Sequence, residues 1–179
     1  MSVDIESLVT DEMRACIGAE SPVMSLPEEI SASDVRRYAE ATGDNNPLWM
    51  DDEFARSVGY KGRRVPPIFI LQTFRRSPEW EMGEESGWTG LKLPPGYTNT
   101  RNAGHEVEWI APVYVNDKLT FKYRLVDVYA RQGRTAAVIY IKQVCEFRNQ
   151  DGELVVRVTS TAAKLPAAQY AGATPAGAS

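Results

Sequence analysis

The stretch Leu119-Thr120-Phe121-Lys122-Tyr123-Arg124-Leu125-Val126 decides the class of fold, because apolar and polar side chains alternate along it with a period of two. That period puts Leu119, Phe121, Tyr123 and Leu125 on one face of an extended chain, so the segment is read as a strand with one buried side. Outward toward the C-terminus, residues 134–148 are long and rich in β-branched side chains, Asn149-Gln150-Asp151-Gly152 is turn chemistry, and Leu154 to Ala163 form a last strand. This half is expected to be an antiparallel meander.

Toward the N-terminus the period changes to that of helices. Ser31 can cap a helix over residues 32–42, with Asp34 three positions on, a stripe of Val35, Tyr38, Ala39 and Thr42, and Gly43 as the stop. The run Gly43-Asp44-Asn45-Asn46-Pro47 reads as turn, and a short helix from Asp52 to Val58 closes at Gly59. Pro66-Pro67 then opens the apolar run Ile68, Phe69, Ile70, Leu71 and Phe74, which is expected to be the buried central helix. Further out, Ile5, Leu8, Val9, Met13 and Ile17 predict an amphipathic helix over 4–17 ended by Gly18. Pro78 to Asn102 shows no period and is read as a long surface excursion, while Pro166 to Ser179 has little to bury and is expected to be disordered. Helices first and sheet afterwards argue an α+β domain.

Composition narrows the function classes. A chain of 179 residues with 43% hydrophobic side chains suits one domain, and a net charge of -4 with interspersed signs carries no electrostatic footprint for nucleic acid. Cys16 and Cys145 lie apart without metal-ligand spacing, so both are expected to be reduced and structural. Asp4, Glu6, Asp11 and Glu12 stand where a secretory signal needs a basic start and an apolar run, and no stretch is long enough to span a membrane, so the expected location is the cytoplasm.

Two motifs carry a resemblance. Tyr38-Ala39-Glu40-Ala41-Thr42-Gly43-Asp44-Asn45-Asn46-Pro47-Leu48 and Gly59-Tyr60-Lys61-Gly62-Arg63-Arg64-Val65-Pro66-Pro67-Ile68-Phe69 resemble the MaoC family of acyl dehydratases and hydratases. Glu106-Val107-Glu108-Trp109, Ala111-Pro112-Val113, Asp117 and Asp151-Gly152-Glu153-Leu154 are similar to the strand half of that family, so the likeness runs from Ile30 to Lys164. It implies a hot-dog fold, a long antiparallel sheet around a central helix, over 21–165, with 1–20 as an N-terminal helical extension and 166–179 as a tail. Two such units are expected to pair around the active site. In catalytic members a carboxylate and a histidine five residues later hold the water that adds across a trans-2-enoyl thioester, and an N–H at the start of the central helix stabilises the enolate-like oxygen.

Checked residue by residue, half of that machinery is present. Asp44 occupies the carboxylate position, and Asn46 and Pro47 match, but the histidine position holds Trp49, whose indole can donate a hydrogen bond and cannot shuttle a proton. At the helix start, where active members carry His-Gly, this chain has Pro66-Pro67, and proline offers no N–H. The Pro-Pro form also resembles members that serve as the non-catalytic half of a pair. The expectation is therefore a subunit of a heteromeric enoyl-CoA hydratase or dehydratase, without cofactor, that shapes the pocket for a bulky acyl group such as a long chain or a steroid side chain. Asp44, Asn46, Trp49, Pro66, Pro67, Ile68 and Phe69 would line the acyl-CoA site, and a partner hot-dog chain would supply Asp, His and the oxyanion donor. Two alternatives stay open: a self-sufficient homodimer using Asp44 with an Ile68 or Phe69 N–H, and a non-catalytic acyl-CoA-binding module.

Plainer readings stand beside these. Asp44 and Asn46 suit turn scaffolding, and Trp49, Phe69 and Phe74 suit a core as well as an acyl tunnel. Lys61, Arg63 and Arg64 could meet coenzyme A phosphates or simply face solvent. His105, the single histidine, is the imidazole base if this chain has one of its own, and is otherwise read as a surface or edge residue at an exposed corner before a strand. Trp80, Trp88 and Trp109 add large apolar surface; the loop that holds Trp80 and Trp88 is a candidate partner surface, or folds back onto its own domain.

Overall fold

The computed structural model describes residues 5–73 and 89–167. Their architecture is a five-stranded antiparallel sheet with short helices laid against one face. The strands are β1 (Met24–Ser25), β2 (Asn99–Trp109), β3 (Thr120–Gln132), β4 (Ala137–Arg148) and β5 (Leu154–Leu165), in the spatial order β1-β3-β4-β5-β2. The helices are α1 (Asp11–Ala15), α2 (Ala32–Thr42), α3 (Pro47–Met50), α4 (Asp52–Ser57) and α5 (Ile70–Thr73), with 3-10 turns at Glu6–Leu8 and Pro67–Phe69. The meander expected from alternation is β3-β4-β5, and β2 returns to pair with β5.

The helix around Tyr38 forms where its caps place it. Ser31 Oγ accepts from the Asp34 N–H at 3.1 Å, and Gly43, at φ 68°, closes the helix by donating to the Ala39 and Glu40 carbonyls. Val35 and Ala39 are fully buried on the main core with Trp49, Val65, Phe69, Ile70, Phe121, Tyr123, Phe147, Val156 and Val158. Phe69 meets Tyr38 edge-on at 5.4 Å, and Phe121 sits 5.6 Å from Phe147. Ile70, with 1% of its surface exposed, opens the helix the sheet wraps. Phe74 and the remainder of the expected central helix lie outside the described residues, as do Trp80 and Trp88.

Several boundaries differ from the expectations. The helix predicted over 4–17 is broken: Val9 is extended, and Thr10 accepts from the Met13 N–H to start α1 afresh. The break lets Val9 and Met13 both reach the sheet, where they join Leu125, Val128, Ile139 and Ile141 in a second apolar cluster. Burial of each contributes about 2 kcal/mol. The chain then runs along β3, with Gly18 N–H donating to Leu125 O, Leu125 N–H to Ala19 O and Ser21 N–H to Tyr123 O. Residues 5–20 are thus laid onto the sheet itself. The turn-rich segment also holds a helix, α3, because Asn46 Oδ1 accepts from the Leu48 N–H and Pro47 occupies the first turn. The excursion expected to last until Asn102 ends earlier, at Asn99, where β2 begins. Alternation alone ended the first strand at Val126; β3 continues to Gln132 across a register shift between Leu125 and Asp127.

Across the outer face runs a ladder of alternating charge. Glu20 pairs with Lys122 on β3, Lys122 stands opposite Glu146 on β4, and Arg157 on β5 bridges Glu146 (3.0 Å) and Glu108 on β2 (3.3 Å). The charges on this part of the outer face are therefore compensated within the sheet.

Candidate active site

The loop between α2 and α3 carries Asp44. Its N–H donates to the Ala39 carbonyl at 2.9 Å, which fixes the loop to the end of the helix. The carboxylate is half-buried and engaged on both oxygens: Oδ1 accepts weakly from the Asn46 N–H at 3.4 Å, and Oδ2 accepts from Trp49 Nε1–H at 2.9 Å. The Trp49 ring behind that bond is 6% exposed and belongs to the main core. An indole that donates to a carboxylate stabilises it and holds it still. It gives the carboxylate no partner able to accept a proton, so the pair is a structural clasp rather than an acid–base dyad.

Asn46 is spent in the same way, its side-chain oxygen capping α3. Pro66 is buried and Pro67 half-buried at the start of the turn that leads into α5, and neither has an N–H. Of the two amides named as substitutes, the Phe69 N–H is already given to the Pro66 carbonyl at 3.0 Å. Ile68 supplies the first amide after the prolines, and its side chain is 48% exposed. Of the residues expected to line the acyl-CoA site, the structure brings Asp44, Asn46 and Trp49 into one hydrogen-bonded unit and Pro66 to Phe69 into one turn. Trp49 and Phe69 are core residues in this structure.

The basic group does not converge on an open anion site. Arg63 N–H and Nε both face Asp52, at 3.0 and 3.3 Å, and Arg64 lies over Tyr60 with Cζ 4.6 Å from the ring centre. The Arg63 N–H, followed by the charges of Arg63 and Arg56, holds the Asp52 carboxyl below its ordinary value. A depression of about 300 Å³ beside them is lined by Arg56, Lys61 and Arg63 but also by Asp52, Asp117 and Glu153, so its charge is mixed. Asp44, Trp49, Pro66 and Pro67 do not line it.

His105 is not before a strand, as expected, but inside β2, opposite Ser160 of β5. Ala103 is the extra residue of a bulge between Asn102 and Gly104, and the bulge turns Asn102 and His105 to the same face, where Asn102 Nδ2 lies 3.2 Å from His105 Nδ1. No hydrogen bond joins His105 to Asp44 among the described residues. The Asn102–His105 pair escaped the sequence reading, although Gly104 inside an otherwise extended run was the available signal. Among the described residues no group of three or more His, Cys, Asp or Glu side chains is placed to hold a metal ion, and no helix is long and apolar enough to cross a membrane.

Known proteins resemble this chain in sequence and in fold. A UPF0336 protein of Streptomyces griseus is 26% identical over 129 residues, covering 72% of this chain and 79% of the relative. A probable enoyl-CoA hydratase alpha subunit of Thermomonospora curvata is 28% identical over 130 residues, covering 68% of this chain and 40% of that longer protein. Among solved structures, the ChsH1-ChsH2 complex of Mycobacterium tuberculosis contains a chain that superposes with a TM-score of 0.69 at 19% identity, covering 91% of this chain and 92% of that one. The fold is therefore the hot-dog fold, and the sequence pattern of the FAS1-like dehydratase domain region matches residues 15–158. With β1 to β4, the start of β5, the Asp44 loop and the proline turn inside that match, the chain belongs to the FAS1-like dehydratase-region family of MaoC-like hot-dog hydratases and dehydratases.

Proposed function

We propose that this chain is the pocket-shaping subunit of a heteromeric enoyl-CoA hydratase or 3-hydroxyacyl-thioester dehydratase, and that a second hot-dog subunit supplies the acid–base pair and the oxyanion donor. The observation that carries the reading is the 2.9 Å bond from Trp49 Nε1 to Asp44 Oδ2. It occupies the one carboxylate of the motif with a donor that cannot move protons, while Pro66 and Pro67 remove the amides that would polarise a thioester carbonyl. The complex named in the ChsH1-ChsH2 structure, and the relative named as an alpha subunit, support a division of labour between unlike chains.

The sheet offers a place for the partner. Among the described residues β2 pairs only with β5, so its other side is an edge there, ending at the exposed side chains of Trp109 (47%) and Ile110 (48%). An uncovered edge is a ready template for another strand, and apolar side chains beside it add area to bury. The reaction is water addition to a trans-2-enoyl thioester, with this chain binding the acyl group and contributing no proton transfer.

The test is to prepare the chain alone and together with a hydratase-like chain that bears the Asp/His pair, and to follow hydration of an enoyl-CoA by loss of its conjugated absorbance. The isolated chain is expected to be inactive and the complex active. Turnover by the isolated chain, abolished by Asp44→Asn, would establish the self-sufficient reading instead. Binding of acyl-CoA without turnover in any pairing would establish a binding module.

A further inference from the structure

The helix-facing side of the sheet is not apolar throughout. The cross-strand rows containing Phe121, Phe147 and Val156, and Tyr123, Cys145 and Val158, belong to the main core, and those containing Val128 and Ile141, and Ala130 and Ile139, belong to the second cluster. Between them lies one row that is Leu125 on β3, Gln143 on β4, Ser160 on β5 and His105 on β2. Three polar side chains therefore stand in line between two apolar clusters, on the side the sheet turns toward its helices. Gln143 and Ser160 are half-buried, and their side chains make no hydrogen bond among the described residues. The polar atoms of Gln143 and Ser160 are not sealed from solvent and the His105 end of the row is exposed, so a ligand can reach all three.

The row ends on an imidazole of defined polarity. Asn102 Oδ1 accepts the Gly104 N–H at 2.9 Å, so the Asn102 atom facing His105 Nδ1 at 3.2 Å is the amide nitrogen, which can only donate. Nδ1 therefore accepts, and the neutral ring carries its proton on Nε2. Gly104, at φ 141°, makes the bulge that brings Asn102 and His105 together, and a side chain there would meet nothing within 4 Å, so glycine is required by the backbone alone. Along β2 the same face continues to Val107 and the exposed Trp109 on one side, and to Asn102 and Thr100 on the other.

We propose that His105 Nε2–H, Ser160 and Gln143 form a specificity site for an oxygen on the acyl group: a hydroxyl or keto group on a chain whose hydrocarbon lies along Val107 and Trp109. This rests on the functional reading above and narrows its substrate class from acyl thioesters to oxygen-bearing ones. The imidazole donates to that oxygen, and the serine and glutamine side chains complete its hydrogen bonds.

The single histidine makes the site directly observable. In the complex with its hydratase partner, labelled with ¹⁵N-histidine, the ring is expected to show the Nε2–H tautomer at neutral pH. Dodecanoyl-CoA and hydroxydodecanoyl-CoA isomers, with the hydroxyl at mid-chain or at the chain end, are then titrated. One neutral hydrogen bond corresponds to about fivefold in affinity, so at least one hydroxylated isomer should bind about fivefold more tightly than the parent and shift the imidazole signal. The preference should vanish in His105→Phe and survive in His105→Gln, which keeps a donor. Equal affinities across the series, or a preference that persists in His105→Phe, would overturn the site and leave the functional reading intact. If none of the thioesters binds the complex, both fall.

Discussion

Replacing Trp49 by phenylalanine isolates the interaction on which the catalytic assignment turns. The substitution keeps an aromatic body in the core and removes the Nε1–H that lies 2.9 Å from Asp44 Oδ2. A hydrogen bond to a charged acceptor contributes about 1.5–3 kcal/mol, and the space left by the smaller ring adds roughly 1 kcal/mol. A total near 3 kcal/mol lowers the unfolding midpoint by about 6–12 °C, at about 2–4 °C per kcal/mol for a domain of this size. The bond itself is read from a double-mutant cycle with Asp44→Ala, by urea unfolding of the four proteins. The coupling between the two sites should be about 1.5–2 kcal/mol, well above the roughly 0.5 kcal/mol within which independent sites add. Additive effects would mean that the indole does not hold the carboxylate, and the clasp, with the argument that it replaces a dyad, would have to be abandoned.

Three further outcomes follow from the fold. Gly43→Ala places a side chain at φ 68° in open space, so the loss is that of the left-handed conformation alone, about 1 kcal/mol by denaturant unfolding. Of the two thiols, half-exposed Cys16 should react promptly with an aromatic disulfide reagent; Cys145, whose thiol is pushed up by burial, should react only on unfolding. The Arg63 N–H and the Arg63 and Arg56 charges depress the Asp52 pKa, so its contribution to stability is present above the ordinary value of 3.8 and lost as pH falls through the folded value. Comparing Asp52→Asn with the native chain, the stability difference measured at neutral pH should close in acid below that value; a difference independent of pH would contradict the assignment.

Where local chemistry dominates, the sequence was enough. Ser31 and Gly43 bound α2 where their capping roles put it, and the Asn149 to Gly152 turn and the three meander strands followed from turn residues and alternation. Where tertiary contacts dominate, it was not. The period over 4–17 is helical, yet the sheet draws Val9 and Met13 into one cluster and breaks the helix between them. A strand was expected only after His105; the first half of β2 was hidden because its side chains are mostly exposed on both faces and carry no alternation, so its pairing with β5 reveals it. The departures at Trp49, Pro66 and Pro67 could be read from residue types alone. That Trp49 Nε1 reaches the Asp44 carboxylate, and that His105 shares a row with Ser160 and Gln143, depends on loop geometry and strand register that no spacing rule contains.

The open side of β2 bears on how the protein must be produced. Among the described residues the outward-facing backbone groups of β2 have no strand partner beside exposed Trp109 and Ile110, and such surfaces find each other in concentrated solution. If the proposed second hot-dog chain covers that strand, soluble yield should rise when the two polypeptides are made together and fall when this one is made in excess.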